Sequence, residues 1–440
     1  MHVGLRILLS KLFIMKSSLN KSLASSSFAS VFNTLVGAGI VSLPATLART
    51  GVVLGSIVLA FVVVITCFAI NFLLEVCVKR KAASPRSIAM AAYGWVGGFI
   101  ADLSVYLFCV GSLIVYITLA GEYITNIITS RFNVPDWITT YHSAFIKGMV
   151  AIILIPFLLQ KSVHNLRYTS YVVVLAAFFT SALLVYEVAS KGIHESVVLF
   201  KFELPSVQAV GVIVFALSVN AAVPLLIHGV KQQVDDACLR KSTTVGASSA
   251  AICVAGLYFL SAISGYLVYG ADVSDNVLNN IGSSSIPGLV ANIAMALVVI
   301  FSFPIMCYPT RIAQIKLFTP KSDVDFMKAE NFSYKKFLFS GYFLLAFSLV
   351  FAIVFPKVEA VLSIFGGICG SLCSLIIPLL CYMKISSDDS VLDPSLRSMK
   401  TWMREHLTVS IFCIVSIFIF IFFGTFSSVM SVIVVAKEGL

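Results

Sequence analysis

From Ser22 to Ala48 the chain runs without a single charged residue. A helix of about 20 such residues, rising about 1.5 Å each, spans the roughly 30 Å hydrocarbon core of a bilayer. The pattern recurs along the chain. Apolar segments near residues 26–48, 52–76, 99–121, 144–160, 168–188, 206–230, 242–269, 288–310, 337–356, 358–383 and 407–435 give eleven expected spans joined by short loops. The fourth is the shortest, with Lys147 at one end and Pro156 near the other. A soluble core cannot absorb this much apolar surface: 59% of the residues are hydrophobic and 11% charged, against roughly 25% charged in soluble domains. The expected fold class is therefore all-α, a polytopic membrane protein. A cytosolic segment is expected over residues 1–25 and a transmembrane domain over 26–435.

Charge placement tests this map. With eleven spans and a cytosolic N-terminus, 23 of the 30 Lys and Arg residues fall on cytosolic segments, as the positive-inside rule requires. A miscounted helix in the middle would invert every later loop and destroy the bias. The expectation is a cytosolic N-terminus and an extracytosolic C-terminus. The net charge of +10 then reads as orientation, not as nucleic-acid binding. Two glycosylation-type sequons, at Asn20 and Asn331, fall on cytosolic segments, where they would go unused. The apolar stretch Val3–Met15 is interrupted by Arg6 and Lys11 and lacks a small-residue cleavage site, so no cleavable signal peptide is expected. Most cysteines lie singly inside apolar runs and act as small hydrophobes. Cys369 and Cys373 share a helix face without a His or third Cys, so no metal cofactor is expected. No phosphate-binding loop, metalloprotease motif or nucleophile elbow occurs. The chain reads as no enzyme, and active transport would have to be secondary.

The first span carries an anomaly. In "NTLVGAGIVSLP", Asn33 to Pro44, a Gly-x-Gly and a proline stand where a spanning helix should be continuous. Breaking a helix in hydrocarbon frees N–H and C=O groups with no water to satisfy them, and is tolerated where they line a cavity or meet a ligand. A second interruption, Ser218-Val219-Asn220-Ala221-Ala222-Val223-Pro224, lies in the sixth span. Paired breaks at matching places in two halves are the sequence pointer to a transporter binding site. By contrast, Gly51-x3-Gly55 and Gly366-x3-Gly370 read as close-packing glycines.

The first break resembles the first-helix signature of the amino acid/auxin permease family, which includes sodium-coupled neutral amino acid transporters and fungal vacuolar amino acid transporters. Further stretches are similar to that family: "GYLVYG" with "DNVLNN" (265–280), "FPIMCYPTR" (303–311) and "PKVEAVLSIFGGICGSLCSLIIPLLCYMKI" (356–385). The resemblance covers residues 25–435. It implies a LeuT-type fold of two inverted five-helix repeats, about 26–188 and 206–383, with an extra helix at about 407–435. It implies an amino acid substrate at mid-membrane, bound by Gly37, Ala38 and Gly39 through backbone groups, with Ser218, Asn220, Tyr106 and Tyr116 as further substrate contacts. Asn33 and Ser302 fall where sodium-coupled relatives place ligands for the ion. Many relatives carry Cys-His in the sixth-helix break. This chain has Val219-Asn220 there, which puts a His-based proton relay in doubt.

The expected function is secondary amino acid transport by alternating access, coupled to Na+ or H+, by a chain functional as a monomer in the plasma membrane or a vacuolar or lysosomal membrane. An amino-acid-sensing receptor on the same scaffold is the alternative. It would want a longer cytosolic tail. A channel would want a continuous polar lining, which the spans do not offer. The remaining polar residues have structural readings. Asp102 pairs with a basic residue of a cytosolic loop or contacts a proton or the substrate amine. Glu75, Glu122 and Glu187 are interfacial anchors. Asn71 and Asn292 bond between helices. His228 sits near the cytosolic end of the sixth span in a structural role.

Overall fold

The computed structural model describes residues 21–82, 84–132, 136–159, 169–219, 223–224, 236–318, 333–388 and 406–438. Asn220, His228, both sequon asparagines and Val3–Met15 lie outside the described residues. The described residues are nearly all helical and contain no strand. In chain order the helices are α1 (21–35), α2 (Gly39–Arg80), α3 (Pro85–Arg131), α4 (Asp136–Leu158), α5 (Thr169–Lys191), α6 (Gln208–Ala216), α7 (Asp236–Tyr269), α8 (Val277–Ile281), α9 (Ile286–Phe318), α10 (Tyr334–Val354), α11 (Val358–Ser387) and α12 (Leu407–Glu438). Eight of these are long and apolar enough to cross a membrane, and two shorter apolar stretches lie at Ala144–Leu158 and Leu204–Ala216. The chain is a multi-pass membrane protein.

Local chemistry sets the joints. Gly51 takes φ 74° and turns α2 through a corner between the first two expected spans. The corner is stitched: Val53 N–H donates to Leu199 O at 2.8 Å, and Lys201 N–H to Thr50 O at 3.0 Å. A Cβ on Gly51 would stand 2.8 Å from Leu199 O. Gly51 is thus a corner residue and not the close-packing glycine expected, because only glycine adopts this φ at no steric cost. Gly366 does pack helices, since a Cβ there would meet Phe215 of α6 at 2.6 Å. At the start of α3, Ser84 and Ser87 form a reciprocal capping box with Pro85 in the first turn, which satisfies orphan N–H groups.

Pro44 plays a smaller part in the first break than expected. The helix has already resumed at Gly39, and the Pro44 ring fits against α7 where a Cβ on Gly265 would touch it at 2.7 Å. The fourth span also differs. α4 starts at Asp136, so Lys147 is no terminal residue. It is 2% exposed, and its Nζ donates to Ala352 O at 2.7 Å.

The core of the bundle is α3. It packs against α9, α4, α10 and α11, while α2 packs against α6 and α7. α1 lies on α5, with the Phe32 and Phe178 rings 6.4 Å apart. α11 contains two wide π-helical turns, Phe365–Gly370 and Leu372–Ile376. Such turns are rare and often mark functional positions.

Candidate substrate site at the paired helix breaks

Both expected breaks are present. α1 ends at residue 35, residues 36–38 are non-helical, and α2 begins at Gly39. α6 ends at Ala216, with Ser218 and Val219 outside the helix. The breaks touch: a Cβ on Gly39 would lie 2.9 Å from Ala216 Cβ. The N-terminus of α2 therefore meets the C-terminus of α6 inside the protein.

The two ends are electrically unlike. A helix N-terminus carries about half a positive charge and a C-terminus about half a negative one. The first N–H groups of a helix have no partner within it. At α2 the cap position is Ala38, and no side chain caps the turn. Gly37, Ala38 and Gly39 are all buried. The arrangement offers donors for a carboxylate beside a negative helix end for an ammonium group.

Other helices close around the breaks. A Cβ on Gly37 would stand 3.7 Å from the Tyr116 hydroxyl of α3, and Tyr116 is 7% exposed. Ser218 Oγ donates to Val214 O at 2.6 Å and faces α11, where a Cβ on Gly370 would approach it at 3.2 Å. Tyr106 is only half-buried. It lies ten residues before Tyr116, about 15 Å along the helix, so the two hydroxyls do not serve one small ligand together. Tyr258 of α7 was not singled out by sequence. Its hydroxyl donates to Leu35 O and lies beside the backbone N–H of Gly37, and its ring blocks any side chain at Gly39. A tyrosine in an apolar helix gives no sign of this. Only the fold brings it to the break.

Asn33 sits one turn before the first break. Its Oδ1 is buried and has no hydrogen-bond partner among the described residues. An orphaned amide oxygen fits a monovalent cation. Ser302 is buried in α9. Pro304 lacks an N–H, so the Ile300 carbonyl of the same helix loses its ordinary helix donor. Asn33 and Ser302 lie on helices that both pack on α5.

The intramembrane acids are held by partners. Asp102 pairs with Arg86 at the start of α3, the first of its two sequence readings. Glu75 bonds Lys79 at 3.0 Å and Arg240 at 2.9 Å. Glu187 bonds Lys191 at 2.5 Å. Glu122 accepts from Asn276 and Asn279 at 2.8 and 3.1 Å. Asn292 donates to Gly282 O and Gly288 O and accepts from Asn126 at 3.1 Å. The sequence did not point to Arg49 and Glu359, on α2 and α11, whose side chains stand 2.7 Å apart.

This geometry can now be set beside known proteins. An amino acid transporter of Arabidopsis thaliana is 28% identical over 306 residues, covering 64% of this chain. The chain spans 65% of that relative's length. The human sodium-coupled neutral amino acid transporter 4 is 21% identical, covering 85% of this chain and 80% of its own. Among solved structures, MhsT in complex with L-phenylalanine superposes with a TM-score of 0.55 at 16% identity, over 90% of this chain and 98% of that one. The fold is of the LeuT type, and the relatives are transporters, not enzymes. The family profile described as transmembrane amino acid transporter protein matches residues 20–430, and the chain belongs to that family.

Proposed function

We propose that this protein is a secondary transporter of amino acids working by alternating access. One observation carries the reading: the uncapped N-terminus of α2 and the C-terminus of α6 meet in a buried site. The substrate carboxylate docks on the backbone N–H groups at Gly37, Ala38 and Gly39. The ammonium group faces the α6 end, with Ser218 beside it; Asn220, outside the described residues, is kept as a contact on the sequence resemblance alone. Tyr116 borders the carboxylate side. Tyr106, farther along α3, lines the path and not the pocket.

Two inverted repeats, about 26–188 and 206–383, would rock against one another, with the helix at about 407–435 outside them. Docking bridges the two breaks, so binding energy is available to close one gate as the other opens. The N-terminus faces the cytosol, and the protein works as a monomer in the plasma membrane or a vacuolar or lysosomal membrane. Sodium would be held by Asn33 and Ser302, whose neutral oxygens suit a weakly bound monovalent ion. Proton coupling is the competing mode. No observation favours a receptor on the same scaffold.

The test is uptake by purified protein in liposomes, using a panel of labelled amino acids under imposed sodium or proton gradients. Uptake driven by one gradient is expected. No uptake of any amino acid under either gradient would overturn the reading.

A further inference from the structure

An unbroken helix runs beside the broken one. α7 is continuous from Asp236 to Tyr269, and its contacts follow α1 and α2 in chain order. Gly246 leaves no room for a side chain against Ala24 of α1. The Tyr258 hydroxyl donates to Leu35 O, at the last residue of α1. Gly265 receives the Pro44 ring of α2, which would stand 2.7 Å from a Cβ there. α7 therefore lies along the interruption as a splint.

Tyr258 meets both sides of the gap. Its hydroxyl is on Leu35, where α1 ends. Its ring atoms Cζ and Cε2 stand 2.7 and 2.9 Å from the place of a Cβ on Gly39, where α2 begins. The side chain is wholly buried, and α7 itself packs against α2 and α5. A tyrosine has two side-chain torsions and a rigid ring, so it fixes two points at a set separation.

The two contacts differ in kind. The last carbonyls of a helix have no donor within it, and an unmet carbonyl at membrane depth is costly. The Tyr258 O–H supplies a donor to Leu35 O. The contact at Gly39 is one of shape and needs no hydrogen bond. Between these points the chain has little else to hold it. No side chain caps α2, and a Cβ on Gly37 would make only ordinary contact with Tyr116, at 3.7 Å. Where the N–H groups of the break point is set by where the two helix ends are held.

We propose that Tyr258 is a positioning residue for the substrate carboxylate. It holds the end of α1 through its hydroxyl and the start of α2 through its ring, and so aims the N–H groups between them. It acts through the backbone of the break. Donors held in place before binding cost less to use than donors that must be gathered. Without the hydroxyl the end of α1 is released, and the carboxylate loses part of its advantage over a group that needs no aimed donors. The proposal rests on the reading of the break as a carboxylate site.

The experiment is equilibrium displacement on the purified full-length protein, wild type and Tyr258→Phe. Labelled L-alanine, L-leucine and L-phenylalanine are the probes, and the tightest is displaced by itself and by its decarboxylated amine. Tyr258→Phe keeps the ring against Gly39 and removes the donor to Leu35 O. The ratio of the two affinities should fall by about tenfold from its wild-type value, while affinity for the amine changes by less than about twofold. Tyr258→para-aminophenylalanine, which restores a donor on the same ring, should restore the ratio. A purely structural role would weaken both ligands alike. An unchanged ratio in Tyr258→Phe therefore overturns the proposal and leaves the carboxylate site standing. A wild type that binds none of the probes, or binds the amine as well as the amino acid, overturns the carboxylate site and the proposal with it. If Tyr258→Phe does not fold, Tyr258→para-fluorophenylalanine, which fills the place of the hydroxyl without donating, is judged by the same ratio. If neither folds, the hydroxyl serves the fold alone and the proposal falls.

Discussion

The bend at Gly51 and the break at residues 36–38 interrupt the same stretch of chain, and they treat the backbone in opposite ways. At Gly51 the groups exposed by the corner are bonded to the 198–201 link, through Val52, Val53 and Thr50. At 36–38 the new helix starts on Ala38 with no capping side chain, in a buried site. Both are glycine-dependent interruptions of apolar helix. Only one leaves donors for something outside the chain. An interruption in a membrane helix points to a ligand when the protein itself leaves it unsatisfied.

This contrast can be broken by substitution. The largest effect is expected at Gly37. Its φ is not in the left-handed region, and a Cβ would make only ordinary contact with Tyr116. Gly37→Val should therefore fold and yet lower uptake by about 100-fold or more, because its methyl groups fill the space before the N–H groups. Thermal stability near wild type together with lost uptake is the expected pair of readings. Gly39→Val is the poorer probe, since Tyr258 and Ala216 already stand within 3.0 Å of a Cβ there.

Gly51→Ala should do the opposite. The strained φ and the close Leu199 carbonyl should cost about 2 kcal/mol of stability, seen as a lower unfolding temperature. The molecules that remain folded should still transport. If Gly51→Ala lowers uptake per folded molecule as much as Gly37→Val does, the distinction between the two bends fails.

Smaller effects sharpen the open break. Asn33→Ala should raise the sodium concentration for half-maximal uptake by about tenfold, the equivalent of about 1.4 kcal/mol, if the ion sits there. Tyr116→Phe should raise the apparent KM a few-fold, in line with loss of one hydrogen bond of about 1 kcal/mol. Tyr106→Phe should change KM by less than about twofold, because it lies about 15 Å from Tyr116 along α3. Equal effects of the two tyrosines would contradict the placement of the pocket.

Much of this was legible in the sequence, for a physical reason. Apolar runs and basic loops are local signals, and the bilayer imposes them on every span. The two breaks were legible because glycine, proline and a polar residue are costly in hydrocarbon and stand out there. The sequence was misleading where a residue's role depends on a distant partner. Gly51 looked like a packing glycine because the 198–201 link that stitches it is far along the chain. Lys147 looked terminal because the polar start of α4 does not read as a span. Tyr258 and the Arg49–Glu359 pair carry no local signature, since an aromatic or a terminal charge in a membrane helix has many uses. Tyr106 and Tyr116 are both offered by the resemblance, but a resemblance says nothing about their depth along α3.

The central claim is that the uncapped end of α2 holds a carboxylate. Its most direct test is equilibrium binding to the purified wild-type protein. The amino acid with the highest uptake is bound in labelled form, then displaced either by itself or by the same molecule lacking its carboxyl group. Loss of a buried charge-assisted contact predicts displacement at least about 100-fold weaker for the carboxyl-free amine. Equal displacement by the two would contradict the account.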